Sequence, residues 1–248
     1  MQIFSKIDKG IVRNSNQDAY FTGLLSDGSA FAVVCDGMGG ANAGNIASEL
    51  AVKGVSEYVM KSYRTSMDCE DIAKMLNNAI SSVNFEIYDL SKEKPDLSGM
   101  GTTVVVVLVR DGFAVISHVG DSRAYLIDDD ITQVTRDHSV VQTLLENGEL
   151  TENEAKIHPK KNVITRALGT EENVVTDFDI IDFKTSQSIL ICTDGLSNYV
   201  ESAEILNVFK NNKIECVAEI LVDTANKNGG GDNIAVVTIT GSKGYFYG

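Results

Sequence analysis

Thr103-Val104-Val105-Val106-Val107-Leu108-Val109 is followed, across Arg110-Asp111-Gly112, by Phe113-Ala114-Val115-Ile116-Ser117-His118. Both runs are short, rich in β-branched residues and bounded by turn formers, which is the composition of a strand. A connection this short reverses the chain, so the two strands form a hairpin. The sheet to which they belong is therefore largely antiparallel.

Working outward, similar apolar runs recur at 2–7, 30–35, 123–127, 189–193 and 234–240, each bounded by Gly, Asp or Asn. Between the run at 30–35 and that at 103–109 the period changes. Ile46, Ala47, Leu50, Ala51, Val55, Tyr58 and Val59, then Ile72, Leu76, Ala79, Ile80, Val83 and Ile87, recur at helical spacing. Asp68, with Asp71 three residues later, suits the N-cap of the second helix. The spacing predicts an antiparallel helix pair packed on a sheet. Segments 140–147, 152–157, 202–209 and 214–226 are also helical in pattern. Helices gathered in blocks, rather than alternating singly with strands, favour an α+β fold over a doubly wound α/β one. No repeat, low-complexity tract or Pro-, Ser- or Gly-rich linker divides the 248 residues, so 1–248 is expected to form a single catalytic domain.

The formal net charge of −14 produces a field that repels nucleic acid and anionic membrane and attracts cations. No apolar stretch is longer than Val104–Val109, far short of the ~20 residues of a membrane-spanning helix. The start, Met1-Gln2-Ile3-Phe4-Ser5-Lys6-Ile7-Asp8, lacks the basic stretch and apolar run of a secretory signal. A cytoplasmic protein with no nucleic-acid partner and no membrane insertion is expected. Cys35, Cys69, Cys192 and Cys216 form no C-x-x-C pair and sit mostly among apolar residues, as reduced core thiols do. A Cys-dependent phosphatase needs an Arg six positions after the Cys. Those positions hold Ala41, Met75, Asn198 and Val222, which excludes that mechanism.

The chemistry lies in aspartates at strand ends. The run at 30–35 leads into Asp36-Gly37-Met38-Gly39-Gly40, and 189–193 into Asp194-Gly195. Gly229-Gly230-Gly231 leads through Asp232-Asn233 into the strand at 234, and Asn16-Gln17-Asp18 precedes Ala19-Tyr20-Phe21. Any one Asp-Gly pair is an ordinary turn. Together they place carboxylates on strand ends that one sheet edge can gather, with glycines that let backbone carbonyls approach a ligand. Carboxylates buried side by side shift toward protonation unless cations sit among them. All-oxygen ligation suits Mg²⁺ or Mn²⁺, and three histidines with no H-x-x-x-H argue against zinc. Two such ions can activate water and neutralise a phosphoryl group. The glycines after Asp36 fit neither G-x-x-x-x-G-K-[ST] nor G-x-G-x-x-G. Arg13, five residues before Asp18, supplies a clamp for a phosphate that the acids would otherwise repel. His118-Val119-Gly120-Asp121 puts another acid just after a strand, a candidate for an extra metal, whereas His118, His138 and His158 read as structural or surface residues.

Taken together, Arg13-Asn14-Ser15-Asn16-Gln17-Asp18, Asp36-Gly37-Met38-Gly39-Gly40, Met100-Gly101-Thr102-Thr103, His118-Val119-Gly120-Asp121-Ser122-Arg123, Thr135-Arg136-Asp137-His138-Ser139, Ile164-Thr165-Arg166-Ala167-Leu168-Gly169, Thr193-Asp194-Gly195-Leu196 and Gly231-Asp232-Asn233 resemble the motifs of the metal-dependent (type 2C, PPM) serine/threonine protein phosphatases, particularly the small bacterial members. They run in family order over nearly the whole chain.

The resemblance implies a central antiparallel β-sandwich flanked by antiparallel helix pairs, and hydrolysis of phosphoserine and phosphothreonine in proteins. It implies that Asp36 bridges two metals, that the Gly37 carbonyl binds one, and that Asp194 and Asp232 bind the other. Asp18 would hold a metal-bound water, Asp121 with Asp194 would form a third, weaker metal site, and Arg13 would bind the phosphate. A flap at about 142–162 would lie beside the site. Mn²⁺ or Mg²⁺ as cofactor, phosphoproteins and a cognate serine/threonine kinase as partners, and a monomeric state complete the expectation. Two departures concern the proton donor: Met38 and Ala41 stand where family members carry histidines. The alternatives are a catalytically weak or inactive relative that binds phosphoproteins, and a cation-binding module in which Arg13 is dispensable.

Overall fold

The computed structural model describes residues 1–40, 43–110 and 112–241. The chain opens with β1 (Gln2–Asp8), β2 (Asp18–Leu24) and β3 (Ala30–Met38), then turns into the long helices α1 (Ala43–Ser62) and α2 (Cys69–Glu93). A short β4 (Gly101–Thr102) precedes β5 (Val104–Arg110), β6 (Gly112–Val119), β7 (Arg123–Ile127) and β8 (Ile131–Gln133). Two small helices, α3 (Val140–Glu146) and α4 (Glu152–Ile157), come before β9 (Asp177–Phe183) and β10 (Ser188–Cys192). The chain continues through α5 (Asp194–Ser197), α6 (Ser202–Asn211), α7 (Ile214–Lys227) and β11 (Ile234–Thr240).

The strands form two sheets, ordered β1-β11-β10-β7-β8 and β2-β3-β5-β6-β9, with β4 on the end of β3. Every named pairing is antiparallel, and β5 and β6 form the hairpin expected, with Val104 opposite Val119 and Arg110 opposite Phe113. The two-residue period of a strand sends alternate side chains into two different cores. Ala30, Ala32 and Val34 of β3 and Val105, Val107 and Val109 of β5 meet Ile189, Ile191, Ala235 and Val237 between the sheets. Their neighbours Phe31, Val33, Cys35, Val104, Val106 and Leu108 face α1 and α2. On the other side Leu190, Cys192, Ile234 and Val236 meet Val217 and Leu221 of α7 and Ile205 of α6. The result is four layers, helices on sheet on sheet on helices. Burial on both faces explains why the central strands read as unbroken apolar runs, and each buried Val, Leu or Ile contributes roughly 1.5–3 kcal/mol.

α2 buries Ile72, Leu76, Ala79, Ile80, Val83 and Ile87, the stripe expected, and its first turn is closed by Asp68, whose side chain accepts from the Asp71 N–H at 2.8 Å. Such a cap is worth about 1 kcal/mol. Four strands were not anticipated: β2, the two-residue β4, β8 and β9. β3 also runs past Cys35, so Asp36, Gly37 and Met38 are strand residues, Gly37 opposite Thr102 and Met38 opposite Gly101. No described helix is long and apolar enough to cross a membrane.

Candidate active site

The antiparallel pairing of β2 with β3 sets Asp18 directly opposite Asp36. The Asp36 backbone is held on three sides. Its N–H donates to Thr103 Oγ1 at 2.9 Å, and its carbonyl accepts from the Thr103 N–H and the Thr102 hydroxyl, each at 2.9 Å. Asp194 opens α5 directly after β10, Asp232 lies just before β11, and Asp121 sits in the turn between β6 and β7. The charges of Asp18, Asp194, Asp121 and Asp232 all act on Asp36, so strand ends from both sheets converge on one edge of the sandwich.

Uncharged groups join the two sheets at this edge. The Thr193 hydroxyl donates to Asp18 Oδ2 at 2.8 Å and accepts from the Ala235 N–H at 2.9 Å. Asn233 Oδ1 accepts from the Gln17 N–H at 2.8 Å, while its amide donates to the carbonyls of Lys9 and Ser15 at 2.8 and 2.9 Å. The loop between β1 and β2 is thereby fastened to the start of β11. Arg13 projects from that loop, and its Nη2 donates to Asp232 Oδ2 at 2.8 Å. Glycines make the approach of the backbones possible. A Cβ on Gly37 would stand 2.1 Å from the Gly44 carbonyl oxygen, and one on Gly195 would stand 1.8 Å from that of Asn233.

Burial dominates the electrostatics. It lifts the carboxyls of Asp18 and Asp36 well above the ordinary range, and the neighbouring acids add to the rise. Burial, then Asp232, pushes Asp194 up to about 6, and burial, then Asp194 and Asp137, pushes Asp121 up to about 7. The hydrogen bond to Asp232 raises Arg13 further above its ordinary value. Asp18 Oδ1 and Asp194 Oδ1 are buried with no hydrogen-bond partner. An orphaned buried carboxylate oxygen is costly, and a cluster of them with only oxygen donors fits a hard divalent cation.

Of the residues expected at a site, Arg13, Asp18, Asp36, Gly37, Asp121, Asp194 and Asp232 all lie at this edge. Met38 packs its methyl group against Gly101, and its side chain carries no exchangeable proton. Ala41 lies outside the described residues. The supporting roles of Thr103, Thr193 and Asn233 were not foreseen. The available signal was their place inside the same motifs as the acids.

His118, His138 and Asp177 form a second cluster, with ligand-type atoms within 4.8 Å of one another. The hydrogen bonds of His138 argue against its ligating a metal. The Gly120 N–H donates to His138 Nδ1 at 3.1 Å, which leaves the proton of the neutral ring on Nε2, 3.2 Å from Asp177 Oδ2. A ligating histidine needs the reverse, a free lone pair on one nitrogen and a donor on the other. Burial pushes His118 down to about 4, and its neutral ring stacks on His138 at 4.8 Å between centroids. Asp177 is also held by Arg166 Nη1 at 2.8 Å. The two ring nitrogens of His118 are buried without a hydrogen-bond partner, so that ring is placed by packing alone. His158 accepts the Lys160 N–H at 3.1 Å in the turn after α4.

The 142–162 segment holds most of α3 and all of α4. Ser139 caps α3, and Thr151 with Glu154 forms a capping box on α4. α3 buries no residue and α4 only Ala155. Lys156 Nζ reaches both carboxylate oxygens of Glu201, just before α6, at 2.8 Å.

Residues 6–227 match the family described as Protein phosphatase 2C. The chain is 39% identical to the serine/threonine phosphatase stp of Listeria innocua over 94% of its own length and 93% of that protein's. It superposes on the crystal structure of the serine/threonine phosphatase Stp1 from Staphylococcus aureus with a TM-score of 0.90, at 33% identity, covering 96% of this chain and 93% of that one. The catalytic domain of the serine threonine protein phosphatase PstP, solved in complex with 2 manganese ions, matches with a TM-score of 0.84 at 31% identity, covering 96% of each chain.

Proposed function

The chain belongs to the protein phosphatase 2C family, and from that premise we propose how its residues divide the work of hydrolysing phosphoserine and phosphothreonine in proteins. The observation that carries the assignment is the convergence of Asp18, Asp36, Asp194 and Asp232 around orphaned carboxylate oxygens, with Arg13 at their rim. Asp36, the Gly37 carbonyl, Asp194 and Asp232 would hold two core cations, Mn²⁺ or Mg²⁺, with Mn²⁺ the expected choice in assay, and Asp121 with Asp194 would hold a third, weaker one. When bound, such ions supply Lewis-acid polarisation of the phosphoryl oxygens and a lowered pKa for attacking water.

The residues of the chain do the rest. Arg13 orients the phosphoryl group, its guanidinium matching two oxygens at once. Arg13, half-exposed and anchored on Asp232 Oδ2 at 2.8 Å, stands at the rim where a substrate phosphate would meet the acids. Asp18, fixed by Thr193, orients the attacking water. Met38 offers no proton, so the leaving alkoxide takes its proton from water. Residues 1–248 act as one catalytic domain, with 142–162 as a flap beside the site. The protein works as a cytoplasmic monomer that reverses a cognate serine/threonine kinase.

The test is phosphate release from a phosphothreonine peptide and from p-nitrophenyl phosphate, with Mn²⁺, Mg²⁺ or EDTA, comparing the unaltered chain with Asp194→Ala. Turnover should require a divalent cation and fall by at least about 10²-fold in the variant. EDTA-resistant turnover would refute the cation reading. Full activity of Asp194→Ala would remove that residue from the site.

A further inference from the structure

Ile11 and Val12 stand immediately before Arg13, and they are 68% and 66% exposed. They are nevertheless fixed, because both of their N–H groups donate to the Gly230 carbonyl, at 2.8 and 3.2 Å. The Ile11 side chain lies on the Gly230 backbone, its Cγ1 2.9 Å from where a Cβ on that glycine would be. Two residues further on, Asp232 carries the Arg13 guanidinium. The apolar pair thus shares one frame with the arginine at the rim of the acids. Tyr199 walls the far side of the same loop, its ring against Gly229 and Gly231.

Apolar residues exposed singly are common and call for no explanation. Here two adjacent β-branched residues are held by their backbone at the lip of a charged site. A surface already held in place loses little conformational freedom on binding. A phosphoserine or phosphothreonine side chain is short, so a polypeptide whose phosphate reaches Arg13 must lay its backbone across the residues next to Arg13. Valine and isoleucine offer nothing to a polar neighbour of the phosphorylated residue and a contact surface to an apolar one.

We propose that Ile11 and Val12 form a substrate-positioning shelf that selects phosphoproteins with an apolar side chain next to the phosphorylated residue. The proposal rests on the phosphatase reading of the site. The test uses the full Mn²⁺-loaded chain on two phosphothreonine peptides that differ only in their flanking residues, leucine on both sides or glutamine on both. p-Nitrophenyl phosphate, which has no flanking residues, serves as reference. Relative to that reference, kcat/KM should favour the leucine peptide by about tenfold, the scale of one well-placed apolar contact. The double variant Ile11→Ser/Val12→Ser, with folding checked by thermal melting, should lose the preference through KM. Ile11→Leu/Val12→Leu should keep it. Equal kcat/KM for the two peptides, or a serine variant that retains the preference, would overturn the shelf. Failure of the unaltered chain to hydrolyse p-nitrophenyl phosphate would overturn the reading of the site, and the shelf with it.

Discussion

Gly195 follows Asp194 at the start of α5, where a Cβ would come 1.8 Å from the Asn233 carbonyl oxygen. No side chain fits unless the backbone at 232–233 retreats. That backbone positions Asp232 and, through the Asn233 side chain, the loop that bears Arg13. Gly195→Ala is therefore expected to lose about 1–3 kcal/mol as an overpacked site and to depress phosphate release more than its stability loss explains. Urea unfolding alongside turnover of p-nitrophenyl phosphate checks this, and a stable, fully active variant would mean that the two segments can part freely. At this scale the acids were legible in the sequence, because a carboxylate at the end of an apolar run beside glycine is an unusual local signal. The threonines and Asn233 were not. A Thr at the end of a strand has the composition of any strand residue, and only the paired sheets reveal that Thr193 bonds Asp18 of one sheet and Ala235 of the other.

Helices and strands differ in how plainly they announced themselves. The central strands and α2 were readable from period and caps alone. Of the missed strands, β4 is only two residues long, and β2, β8 and β9 are sheet edges. An edge strand is less enclosed and tolerates polar residues, as in Asp177-Phe178-Asp179 of β9, so the apolar run that marks a buried strand is absent. α3 and α4 present a different case: their caps are complete, but they bury almost nothing. Helices this short are marginal without tertiary packing, so their local opening free energy should lie at the low end for the chain. Limited proteolysis is expected to cut first within 142–162, near the exposed Asn147-Gly148-Glu149 turn. Glu201→Ala, which removes the partner of Lys156, should increase the rate of that cut by a few-fold, since an exposed ion pair contributes about 0.2–1 kcal/mol. First cleavage in α1 or α2 would contradict this ordering.

The whole sandwich exists, in energetic terms, with its polar edge opposed to its core. Two sheets packed face to face bring distant strand ends to one edge, and there burial keeps carboxyls protonated that would be ionised in the unfolded chain. The sign of the pH dependence follows. For Asp121, pushed up to about 7, and Asp194, pushed up to about 6, the cation-free folded state holds protons that the unfolded state has already released. Their contribution is present at low pH and is lost as pH rises through those values. His118, pushed down to about 4, acts in the opposite sense, because below its ordinary value the unfolded chain takes a proton that the folded chain refuses. With EDTA present, the melting temperature should be higher at pH 6 than at pH 8, with His118 offsetting part of the carboxyl contribution below pH 6, each kcal/mol moving it about 2–4 °C at this chain length. Divalent cations bind the ionised carboxylates and compete with these protons. Mn²⁺ should accordingly raise the melting temperature more at pH 8 than at pH 6. A cation effect no larger at pH 8 than at pH 6 would mean that these carboxyls are ionised before the cation arrives, and that their burial is relieved by some group other than the cation.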